Sequence, residues 1–128
     1  MQKGFTLVEL IIVIIIVGIL ASVGMTQYIK VVEKGRAVEA RLILGSLRTA
    51  EVNEFTETGV YAVVADLDVS APTDCTGTAH FFSYACDVGT GTCTASRCQG
   101  ATGKQPGGTV AYNKTLDING DFGGTAGY

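Results

Sequence analysis

The stretch that decides the fold is Gly4-Phe5-Thr6-Leu7-Val8-Glu9, followed by an aliphatic run from Leu10 to Met25 that contains no charged residue. A span of about 20 apolar residues crosses the hydrocarbon core of a bilayer. Phe5 to Met25 meets that length provided Glu9 is tolerated. Lys3, on the short N-terminal side, orients that end toward the cytoplasm. A secretory signal peptide would show the same positive residue, apolar core and small residues near Ala21 and Ser22. Against that reading, Glu9 interrupts the apolar region near its start and the helical pattern runs on well past Ala21.

Glu9 is the residue that a plain anchor does not explain. A carboxylate at the membrane centre costs about 2.5–3.5 kcal/mol on insertion scales, and less near the interface. The nearest downstream cation is Lys30, about 32 Å away along a helix at 1.5 Å per residue. A neutralising charge must therefore arrive from elsewhere.

Gly4-Phe5-Thr6-Leu7-Val8-Glu9 before an aliphatic helix closely resembles the processing motif of type IV prepilins and of the pseudopilins of type II secretion. The resemblance implies that a prepilin peptidase cuts between Gly4 and Phe5, removing residues 1–4 as a leader, and that the new Phe5 amine is N-methylated. It implies that Glu9 neutralises the Phe5 ammonium of a neighbouring subunit, making both residues assembly determinants of a homo-oligomeric helical filament. Other implied partners are the pilus or secretion assembly machinery and, before assembly, the inner membrane crossed by a single pass. The finished filament would lie outside the cell. Cleavage creates a charged amine at the apolar end of the helix, and a buried carboxylate is the site nearby that stabilises it. The chain departs from many pilins in lacking a proline near Thr26, so Gly18 and Gly24 are the points between Gly18 and Thr26 where the helix is loosened, at about 1 kcal/mol each relative to alanine.

Beyond Met25 the pattern turns amphipathic. Ala40, Ile43, Leu44, Leu47 and Ala50 recur at helical spacing among Lys34, Arg36, Glu39, Arg41, Arg48 and Glu51. No proline interrupts Phe5 to Thr58, and Gly59 is placed as a helix stop. The expected helix is about 80 Å long at 1.5 Å per residue, far more than a small domain needs. Residues 5–28 are assigned to membrane and filament core, 29–58 to an amphipathic half whose apolar stripe covers one face of a sheet, and 59–128 to a head.

Val60 to Ala65 reads as an extended connector or short strand. Ala79 to Ala85, Cys93 to Cys98 and Tyr112 to Ile118 read as strands, the last ending at the hairpin signal Asn119-Gly120. The predicted fold class is therefore α+β, one long helix packed by its C-terminal half on a three- or four-stranded antiparallel sheet, the order that the pilin resemblance also implies.

Cys75, Cys86, Cys93 and Cys98 all follow the apolar segment that would carry them across a membrane. An even count in a small Gly-rich domain points to two disulfides. A four-thiolate zinc site would want paired short spacings, which are absent. Three pairings are open. The turn-forming stretch Asp87 to Thr92 favours Cys86 with Cys93, leaving Cys75 with Cys98.

Asp117, Asn119 and Asp121 alternate as calcium ligands do, but Phe122 stands where a calcium loop wants glycine and Tyr128 where it wants glutamate. A solvated Asn-Gly turn is the simpler reading, and no metal is assigned. His80 has no second histidine to build a site with. Asn113-Lys114-Thr115 is a glycosylation sequon. Asp121-Phe122-Gly123 lacks every other part of a kinase signature. A net charge of −3 supplies no basic face, so nucleic acid is unsupported as a partner. No nucleophile elbow or catalytic base is visible, and no cofactor is implied. The expected function is that of a non-enzymatic major pilin. The alternatives are a type II secretion pseudopilin and, more distantly, a membrane-anchored periplasmic binding protein that never polymerises.

Overall fold

The computed structural model describes residues 4–76, 80–99 and 111–125. Lys3, Ala79 and Tyr128, used in the reading above, lie outside them. One helix, α1, runs Leu7–Thr58 over 52 residues. A 3-10 turn at Val64–Asp66 follows, and then four strands: β1 Phe82–Cys86, β2 Cys93–Arg97, β3 Asn113–Leu116 and β4 Phe122–Gly124. They form an antiparallel meander in the order β1-β2-β3-β4. The chain divides into two compact units, Met1–Glu33 and Lys34–Tyr128.

In the second unit the helix buries Ala37, Ala40, Leu44 and Leu47. Steps of three and four residues keep these on one face. The sheet answers with Phe82 and Tyr84 from β1, Cys93 and Ala95 from β2, and Leu116 from β3, alternating at the strand period of two. Tyr112, just ahead of β3, meets Phe82 edge to face at 5.7 Å between ring centroids. Val64 and Leu67 close the core from the connector. Gly35 and Gly45 face open space, where an added Cβ would touch nothing within 4 Å. Tertiary packing, more than helix propensity, therefore sustains this half of α1.

The helix stops where expected. Gly59 takes φ +79°, a conformation that costs glycine little, and its N–H donates to the Phe55 carbonyl at 2.9 Å. The chain then doubles back, so that Tyr61 stacks on Phe55 at 4.5 Å. Val60 to Ala65 is a connector that ends in the 3-10 turn, and forms no strand. The Ala62 N–H, which a strand would spend on its neighbour, is taken by the Glu51 carboxylate at 3.0 Å.

The strands are shorter than the sequence suggests. His80 and Phe81 precede β1, where the Phe81 carbonyl instead accepts bonds from the Cys98 N–H at 2.9 Å and from Arg97 at 3.0 Å. Strand β4 follows the Asn119-Gly120 turn and consists of Phe122-Gly123-Gly124. A Cβ on Gly124, which has φ +120°, would run into the Asn113 carbonyl. Only glycine permits so close a pairing with β3.

Candidate functional site

In the first unit, the helix begins with a reciprocal cap. The Thr6 N–H and hydroxyl donate to Glu9 Oε2 at 2.9 and 2.7 Å, and the Glu9 N–H donates to Thr6 Oγ1 at 3.3 Å. This is a capping box, in which a Ser or Thr and the Glu three residues later satisfy each other's otherwise orphaned donors. The spacing Thr6-Leu7-Val8-Glu9 carries that signal in the sequence, so Glu9 is a capping residue, paired with Thr6, as well as a charge. Gly4 and Phe5 lie immediately before the cap, and Phe5 is 90% exposed.

The helix that follows is apolar on every side. From Leu7 to Met25 the large aliphatic side chains and Met25 are 42–72% exposed on every side of the helix. A soluble monomer seldom leaves so large an apolar surface in water. The helix is long and apolar enough to cross a membrane. Its few polar groups are already satisfied: the Ser22 hydroxyl donates to the Ile19 carbonyl at 2.8 Å, and that of Thr26 to the Val23 carbonyl at 3.0 Å. Hydroxyls closed onto their own helix suit a hydrocarbon environment, where no water is available to bond them.

In the second unit, Cys86 and Cys93 sit directly opposite each other across the β1–β2 hairpin, 4.1 Å apart at Cα, and are joined. Cys75 is joined to Cys98. The intervening turn is held by Asp87, whose carbonyl accepts from Gly91 N–H at 2.8 Å and whose carboxylate accepts from the Thr90 hydroxyl at 2.6 Å. Gly91, at φ +67°, rests on the Tyr61 ring where a Cβ would come within 2.7 Å.

Asp117 is occupied with its own turn. Its Oδ1 accepts from the N–H groups of Gly120 and Asp121 at 2.9 and 2.8 Å, and its Oδ2 from the Asn119 side chain at 3.2 Å. The bond from Asp121, with those from Asn119 and Gly120, holds this carboxyl below the usual carboxylate range. Arg48 joins the helix to the same turn, its Nε donating to the Ile118 carbonyl at 3.0 Å. His80 Nε2 lies 2.7 Å from the Asp74 carbonyl oxygen. Asn113 exchanges two bonds with Thr125, which fastens the end of β4.

Three buried charged groups escaped the sequence reading: Glu33, Glu51 and Arg97. Arg97, 5% exposed, donates to the carbonyls of Phe81 and Cys98 and lies over the rings of Phe81 and Phe82 at 5.3 and 5.8 Å. Carbonyls and ring faces together offset the cost of burying the guanidinium. Glu51, fully buried, uses Oε2 to accept from Ala62 while Oε1 has no hydrogen-bond partner among the described residues.

Comparison with known proteins bears on the N-terminal region. Residues 1–25 match the family model described as the prokaryotic N-terminal methylation motif. The type IV major pilin protein PilA of Myxococcus xanthus is 38% identical over 65 residues, covering 51% of this chain and 30% of its own length. The type IV major pilin protein PilE1 of Neisseria gonorrhoeae is 36% identical over 72 residues, covering 56% and 34%. The type IV major fimbrial protein FimA of Dichelobacter nodosus is 42% identical over 50 residues, covering 39% and 32%. The chain spans about a third of the length of these relatives. No solved structure matches it significantly. With the methylation motif at its start, one long helix packed on a small antiparallel sheet, and these relatives, the chain is similar to type IV pilins over its N-terminal half.

Proposed function

We propose that this chain is a major structural subunit of an extracellular type IV pilus, released for assembly by a prepilin peptidase that cuts between Gly4 and Phe5. Residues 1–4 are the leader. Residues 5–28 wait in the inner membrane as a single pass and then pack in the filament core. Residues 29–58 carry the head, residues 59–128, to the outside.

The observation that supports this most is the pairing of an exposed apolar stretch of helix with one carboxylate, Glu9, held in its first turn. Lipid satisfies the apolar surface but not the charge. Cleavage would expose the Phe5 amine one residue before the Thr6 cap, and methylation would leave it cationic. In a bundle of such helices, that ammonium and the Glu9 carboxylate of a neighbour stabilise each other where neither has water. The product is a filament, and the role is structural, with no chemistry performed by the head.

Mass spectrometry of the mature N-terminus tests the processing step. The expected start is Phe5 bearing one added methyl group, and any other start contradicts the reading. Electron microscopy of material shed after overexpression tests the destination. Long extracellular fibres are expected, whereas short assemblies confined to the periplasm would reassign the chain to a secretion pseudopilus.

A further inference from the structure

Glu51 is a fully buried carboxyl whose Oε1 has no hydrogen-bond partner among the described residues, and it lies beside a disulfide. One of its carboxylate oxygens and the Sγ atoms of Cys86 and Cys93 all lie within 4.8 Å of one another. Among the described residues this is the only group of three His, Cys, Asp or Glu side chains brought so close together. The two sulfurs differ in access: Cys93 is fully buried, while Cys86 is partly exposed. A cleft of about 280 Å³, lined by Val63, Val64, Thr73, Tyr84 and Ala85, also opens on Cys86.

The geometry points to Cys86–Cys93 as a thiol-exchange site, with Cys86 the sulfur attacked by a small thiol and Glu51 the proton donor to Cys93. The thiolate enters from the cleft and forms a bond to Cys86 Sγ. The Cys86–Cys93 bond breaks, and its electron pair leaves on Cys93 Sγ. Glu51 passes its proton to that sulfur, so that no thiolate is left buried. A second thiolate then attacks the mixed disulfide, the two small thiols depart as their own disulfide, and Cys86 takes a proton from water. Two small thiols are oxidised and one protein disulfide is reduced.

Several groups face Glu51. The Ala62 N–H lies on Oε2, the disulfide closes the strand side, and Glu54 shares its helix. Burial pushes the Glu51 carboxyl above the usual range, Ala62 pulls the other way, and the charge of Glu54 adds to the rise. A protonated Glu51 also eases the orphaned atom, since Oε1 can then carry the proton and is no longer a charged acceptor left unsatisfied. Among the described residues, Cys75–Cys98 belongs to no comparable cluster.

The test uses the full chain in detergent micelles with reduced glutathione, acid quenching and peptide mass mapping. Glutathione is expected on Cys86 in the first mixed disulfide, with Cys75–Cys98 still closed when half of Cys86–Cys93 has opened. Glutathione on Cys93, or earlier opening of Cys75–Cys98, overturns the assignment. Glu51→Gln keeps an acceptor for Ala62 but has no proton to give, and should slow the opening roughly 10- to 100-fold. Corrected for the glutathione thiolate fraction, the rate of the unaltered chain should fall as pH rises through the Glu51 titration, while that of Glu51→Gln stays flat. A flat profile in the unaltered chain removes Glu51 from the step without relying on any variant.

Discussion

From Leu7 to Met25 the large apolar side chains of the helix are 42–72% exposed, while Ala37, Ala40, Leu44 and Leu47 farther along the same helix are 0–3% exposed. One stretch is aliphatic all round and leaves its side chains exposed. The other places its apolar residues on a single stripe, and a sheet covers them. The periodicity of the apolar residues, more than their number, decides whether a stretch of helix is satisfied by its own chain or needs other molecules. Propensity is similar on both sides of the divide, since each stretch contains two glycines with open space around them, Gly18 and Gly24 in one and Gly35 and Gly45 in the other.

The largest effect that would separate the two regions comes from one truncation made in each. Leu44→Ala empties a fully buried site and should destabilise the head by about 2–5 kcal/mol. Ile14→Ala removes a side chain that is 60% exposed and should leave head stability unchanged. Thermal or denaturant unfolding in micelles, followed by the near-ultraviolet signal of the head tyrosines, reads both. Equal losses from the two variants would mean that the apolar stretch packs against the head after all.

A smaller effect distinguishes charge from packing inside the head. Asp117 is held ionised by the Asp121, Asn119 and Gly120 donors of its turn. Its folded pKa is lowered, so the stability it contributes is fully present above the unfolded carboxylate pKa and is lost as pH falls through the folded one. Asp117→Ala should lower the melting temperature at neutral pH, and the gap between variant and parent should shrink as the solution is acidified into and below the carboxylate range. A gap that does not change with pH would show that the turn depends on the side chain's shape and not on its charge.

Much of this division was legible in the sequence. The uninterrupted aliphatic run, the stripe through Ala40, Leu44 and Leu47, the stop at Gly59 and the turn at Asn119-Gly120 are all carried by residues adjacent in the chain or on one helix face. Less legible was whatever depends on contacts between distant residues. Glu51 reads as one more solvated charge on an amphipathic helix until the connector brings the Ala62 N–H to it. Arg97 sits at an inward strand position because the carbonyls of Phe81 and Cys98 and two aromatic rings meet there, and no spacing announces that. Gly123 and Gly124 carry no strand signal of their own, because glycine is a poor strand former, whereas β4 uses them to pass close to β3. At the N-terminus the signal was present in Thr6 and Glu9 and was read for one purpose only. The same carboxylate that caps the helix is the one proposed to receive the neighbouring amine.

That double use makes Glu9 the residue on which the functional account rests, and Glu9→Ala the most direct measurement of it. The variant should insert in the membrane and be cut at Phe5, because neither step requires a partner for the new amine. Filaments sheared from the cell surface should nevertheless be scarce or absent. Normal filament yield from fully processed Glu9→Ala subunits would contradict the pairing of Glu9 with the Phe5 ammonium.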